Sequence, residues 1–79
     1  MKTALYNYCE SELNHVAFVL NKHKNDPAYS WVNPYETITN AIQRCLGAAT
    51  FAQEQGLSYQ EAEDIHTFFS EKLRKMLDN

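Results

Sequence analysis

Two helix-start signatures divide this chain: Asn33-Pro34-Tyr35-Glu36 and Ser58-Tyr59-Gln60-Glu61. Each sets a small polar residue three positions ahead of a glutamate. The cap oxygen then accepts from an unpaired first-turn N–H, and the glutamate can return to the cap's own N–H. Pro34 reinforces the first signature, because proline at N1 gives up only a donor that the helix would leave unpaired. Leu57 and Ala62 flank the second as a small hydrophobic staple. The signatures predict three helical segments of similar length.

Apolar spacing agrees with that division. Leu5, Cys9, Leu13, Val16 and Leu20 recur at helical spacing in the first segment. Ile38, Ala41, Ile42, Cys45, Ala49 and Ala52 do so in the second, whose apolar arc widens to Leu46 and Ala48. Ala62, Ile65, Phe69, Leu73, Met76 and Leu77 mark the third. Lys22, His23 and Lys24 fall in the last turn of the first segment, where cations suit the negative end of the helix dipole. Asp26-Pro27 and Gly56 supply the stops. Gly47 interrupts the second helix at a cost of about 1 kcal/mol relative to alanine, which a close helix approach would explain.

The expected fold is all-α: one domain over residues 1–79, an up-down-up three-helix bundle with helices at about 3–24, 34–55 and 59–77. The runner-up is an open helical hairpin completed only by dimerisation. A chain of 79 residues has a marginal core, for which oligomerisation is one of the usual supports.

Composition narrows function mainly by exclusion. Two cysteines are too few for a secreted disulfide framework, and the N-terminal residues lack the apolar run of a signal peptide. No stretch approaches the roughly 20 apolar residues of a membrane span. The expectation is a cytoplasmic protein with no membrane partner. The net charge of −3 gives no general attraction to nucleic acid. Glycine-rich phosphate loops, His-Glu-x-x-His, Gly-x-Ser-x-Gly and calcium loops are all missing. The chain is therefore expected to be non-enzymatic and without a cofactor.

Four features remain as candidates. Phe18, Phe51 and Phe68 each point away from the stripe of their own helix, and Tyr8, His15 and Val19 form a second, narrower file on the first helix. Such residues either cover the edges of a small core or form a partner surface. The linker Tyr29-Ser30-Trp31-Val32-Asn33-Pro34-Tyr35 is rich in the aromatics favoured as interface anchors. The simpler expectation is that Trp31 folds back and plugs the open end of the bundle.

Lys22, Lys24, Lys72, Arg74 and Lys75 gather at one pole, diluted by Asp26, Glu36, Glu71 and Asp78. Glu10, Glu12, Glu54, Glu61, Glu63 and Asp64 gather toward the other. Most of this is dipole-compatible placement, and it makes a weak nucleic-acid footprint. Finally, Cys9, Cys45 and His66 fall at similar levels of an antiparallel bundle and have the chemistry of zinc ligands. Their sequence spacing matches no local zinc module, and cysteine on an apolar stripe behaves as a small hydrophobe.

The leading expectation is a small protein-interaction or regulatory protein, an adaptor or inhibitor, that forms a homodimer and binds another protein. Its surface would draw on Phe18, Phe51, Phe68, Tyr8, Val19, Tyr29 and Trp31. The alternatives are a metal- or thiol-dependent site at Cys9, Cys45 and His66, and weak nucleic-acid binding through the basic pole.

Overall fold

The computed structural model describes residues 1–78; the Asp78 side chain, one of the acids at the basic pole, lies outside what is described. Three helices account for the architecture: α1 (Lys2–Asn25), α2 (Pro34–Glu54) and α3 (Tyr59–Lys75). Short 3-10 turns follow α1 at Pro27–Tyr29 and α3 at Met76–Asp78. Each helix packs against both others, so the bundle closes within one chain and the open-hairpin alternative is set aside. The result is a slender body, 44 × 19 × 16 Å.

Both caps form. Asn33 accepts from the Glu36 N–H at 3.1 Å, and Ser58 Oγ accepts from the Glu61 N–H at 3.2 Å. At the second cap the glutamate carboxylate receives the Ser58 hydroxyl at 3.1 Å, so the reciprocal bond runs to the cap's side chain. The stop at Gly56 has the Schellman pattern. Gly56 donates to Gln53 O and Leu57 to Ala52 O, both at 3.0 Å, with Gly56 at φ 111°, where a side chain would be strained.

The core follows the expected stripes. Leu5, Cys9 and Val16 meet Ile38, Ala41, Cys45, Ala49 and Ala52, with Ala62, Ile65, Phe69 and Leu73 closing the third side. The α2 contribution is mostly alanine, which draws the helices together. Two details depart from the sequence reading. Leu77 lies beyond α3 in the final turn and is exposed, whereas Ser70 is buried.

The linker also departs from expectation. Trp31 is 77% exposed, and Val32 is the buried residue at 5%. The reason is local. Asp26 caps the first 3-10 turn by accepting from Ala28 N–H, and His23 Nδ1 meets Tyr29 O at 2.9 Å, which ties the turn to α1. A tight turn follows, closed by the Val32 N–H donating to Tyr29 O at 3.2 Å, and the chain is extended at Asn33 (φ −98°, ψ 108°). Val32 turns inward and Trp31 outward. Trp31 lies roughly parallel to Tyr29, with ring centroids 6.5 Å apart.

Candidate functional site

The exposed phenylalanines do not share one surface. Phe18, Phe51 and Phe68 are 54%, 58% and 43% exposed. Phe68 belongs to an aromatic cluster on the α1–α3 side, 6.4 Å from Tyr6 and 5.1 Å from Phe69. Lys72 lies over its ring at 4.5 Å. Phe18 carries Lys22 over its ring at 5.7 Å. Cations so placed are attracted by the ring quadrupole and cover part of the apolar face.

Phe51 sits elsewhere. With Met1, Ala4, Tyr8, Gly47 and Ala48 it lines an apolar cleft of about 550 Å³ between the start of α1 and the end of α2. Tyr6 and Tyr8 are two residues apart and so project to nearly opposite sides of α1 at about 100° per residue. The Phe68 and Phe51 environments therefore flank α1 on different sides.

The apolar cleft continues along the same seam. Arg44, at its edge, also lines a second cleft of about 220 Å³ with His15, Val19, Trp31, Thr37 and Asn40. Tyr8, Val19, Trp31 and Phe51 thus meet along one face, the α1–α2 face, while Phe18 and Phe68 stand apart from it. Tyr29 adjoins this face through its stack on Trp31. The file Tyr8, His15 and Val19 forms its α1 edge, as helical spacing requires.

An ion pair divides the face into an apolar half and a polar-aromatic half. Arg44 Nε and a terminal guanidinium nitrogen donate to Glu12 Oε2 at 2.9 and 2.8 Å. Glu12 is largely covered, while the Arg44 side chain remains 46% exposed. Burial, followed by the charge of Glu12, pushes the Tyr8 hydroxyl above its ordinary value. Arg44 belongs to the site although sequence reasoning passed over it. It lies 32 residues from Glu12, and no local pattern announces the pairing.

Gly47 has a related message. A Cβ built there meets nothing within 4 Å, so no neighbouring helix of this chain needs the glycine for close approach. The explanation expected from the sequence is overturned. Gly47 instead lines the exposed apolar cleft.

A second groove, about 320 Å³, runs between α2 and α3 and is lined by Tyr59, Glu63, His66, Ser70 and Arg74 against Leu46, among others. Some of its polar groups are engaged with one another. Ser70 Oγ and His66 Nε2 lie 3.2 Å apart, and hydrogen bonding to Glu63 pushes the Tyr59 hydroxyl above its ordinary value. Burial, followed by the charge of Arg74, holds His66 below the ordinary imidazole value.

The Cys9, Cys45 and His66 set does not assemble. Among the described residues, no group of three His, Cys, Asp or Glu side chains could hold a metal ion. Cys9 and Cys45 are fully buried free thiols, and hydrogen bonding with Cys45 together with burial raises Cys9 well above the ordinary thiol range. His66 is directed to Ser70. Of the basic pole, Lys22 and Lys72 lie over aromatic rings, and Arg74 lines the α2–α3 groove. Among the described residues no helix is long and apolar enough to cross a membrane.

Comparison with protein-family models, curated protein sequences and solved structures gives no match.

Proposed function

We propose that this chain is a protein-interaction module of adaptor or inhibitor type, and that its α1–α2 face docks a helical partner. The observation that carries the reading is the uncovered apolar cleft around Tyr8 and Phe51, continuous through Arg44 with exposed Trp31. A trough between two helices is the shape an amphipathic helix fills, with anchors at i, i+3, i+4 and i+7. Tyrosine, tryptophan and arginine are the side chains that most often dominate such contacts. Gly47 supports the same reading. Its conformational cost is offset by no packing inside the chain, and it leaves room for a partner's backbone on the floor of the cleft.

Photo-crosslinking tests the proposal. A photoreactive phenylalanine analogue in place of Phe51 should give protein adducts in cells, and Tyr8→Lys should abolish them. The same analogue at Phe18 or Phe68 should give few. Equal labelling from all three positions would show that the α1–α2 face has no special role.

A further inference from the structure

We infer that the helical partner of the α1–α2 face is a second copy of this chain, joined about a two-fold axis parallel to the helices. The inference rests on the reading of that face as a docking surface. Two observations select the occupant.

The first is charge complementarity. Glu12 on α1 and Arg44 on α2 stand at one level, since they bond to each other across the seam. A two-fold axis running along that seam sets α1 of one copy against α2 of the other, antiparallel. It also brings each Glu12 opposite the other copy's Arg44. The half-exposed guanidinium then bridges two carboxylates, and each carboxylate meets two guanidinium groups. The same operation lays apolar cleft on apolar cleft, and His15 and Trp31 toward Thr37 and Asn40 of the second copy. Four helices then form the centre of the assembly, each antiparallel to its neighbours, with α3 of each copy outside.

The second is area. From Met1 to Val19 the face runs about 27 Å at 1.5 Å per residue. The body is 19 Å across, which gives a flat footprint of roughly 500 Å² per copy. Two such faces, with side-chain relief added, reach the roughly 1,000 Å² of total buried surface that a specific interface needs. A crossed dimer, with the axis perpendicular to the helices and only the apolar halves overlapping, would bury about half of that. Full-length overlap about the parallel axis meets the requirement while keeping apolar cleft on apolar cleft.

A charge-exchange experiment tests the arrangement. Wild-type protein should sediment as a dimer at roughly 100 μM. Arg44→Glu makes the central charges all acidic, and Glu12→Arg makes them all basic. Each variant alone should weaken dimerisation by on the order of 30-fold or more, as when a hydrogen-bonded interfacial charge pair is broken. An equimolar mixture of the two should restore the dimer, because only across two copies does mixing return opposite charges. Circular dichroism on each variant checks that the helices remain. A monomeric wild type at that concentration overturns the second copy as occupant, while the crosslinking result at Phe51 still decides the face. A wild-type dimer that Phe51→Glu leaves intact overturns both. A dimer lost in both single variants but not restored by mixing overturns the parallel axis.

Discussion

The two grooves flanking α2 are built on the same helix and end differently. Between α2 and α3 part of the polar lining is engaged locally: His66 meets Ser70, and Glu63 raises the Tyr59 hydroxyl above its ordinary value. Between α1 and α2, on one side of the Glu12–Arg44 pair, the lining is aromatic and aliphatic. Polar groups already engaged with one another gain little from a ligand, because binding would first have to break those bonds. A groove that leaves tyrosine, phenylalanine and glycine uncovered gains from any complementary apolar surface. The same contrast holds for the exposed phenylalanines. Phe18 and Phe68 carry a lysine each, and Phe51 faces the open cleft.

The largest expected effect separates buried from displayed aromatics. Phe69→Ala, in the core beside α1, should cost about 3–5 kcal/mol in urea unfolding, through lost burial and the cavity left behind. Phe51→Ala at a concentration low enough for monomer should shift stability by only about 0.5 kcal/mol. Similar losses from both would erase the distinction between core and surface ring.

Next comes the glycine. Gly47→Ala should stabilise the dilute monomer by about 1 kcal/mol, measured by thermal unfolding, because it adds helix propensity into open space. The gain should shrink at concentrations where the α1–α2 face is occupied. Ser58→Ala should cost a similar amount, about 1 kcal/mol, at every concentration, since that cap belongs to the fold alone.

The pH dependence tests whether burial in the α2–α3 groove disfavours a charged His66. Burial holds the His66 folded pKa below the ordinary 6.5, so the unfolded chain takes up the proton first. The neutral ring's contribution is therefore whole above the unfolded pKa and is lost as pH falls from 6.5 toward the lower folded value. His66→Gln should flatten that part of the acid slope, read as the difference between unfolding midpoints at pH 7.5 and below 6. An unchanged slope would show that the groove does not bury the ring enough to disfavour its charge. Smallest of all, Glu12→Gln should alter dilute-monomer stability by about 1 kcal/mol, because the arginine it pairs with remains half exposed to solvent.

The helices and their order were legible because their determinants are local. Asn33, Ser58 and Gly56 act within a few residues, and the stripes need only a period. The exposure of Phe18, Phe51 and Phe68 was legible for the same reason, since a ring far from its helix's stripe must face outward. The sorting of those rings was partly present too: Lys22 and Lys72 each stand four residues after a phenylalanine, one helical turn away. His66 and Ser70 share that spacing, which could have signalled the buried serine.

What escaped the sequence depended on how helices rotate against each other. Arg44 reaches Glu12 only in the folded bundle, and that one contact joins two small clefts into a face. Trp31 and Val32 exchanged places because a tight turn, closed by the Val32 N–H on Tyr29 O, holds Trp31 at its outer corner, and residue size alone suggested the opposite. Cys9 and Cys45 fell at one level as expected, but His66 turned toward its own helix.

The buried thiols carry one more consequence. Cys9 and Cys45 sit at the centre of the α1–α2 seam without exposure, one from each helix. An alkylating reagent can reach them only when those helices separate, so the rate of labelling is an internal clock for opening of the bundle. Whatever covers the neighbouring face would slow that clock, and the slowing with concentration or with added partner would measure its grip without any label attached to the surface.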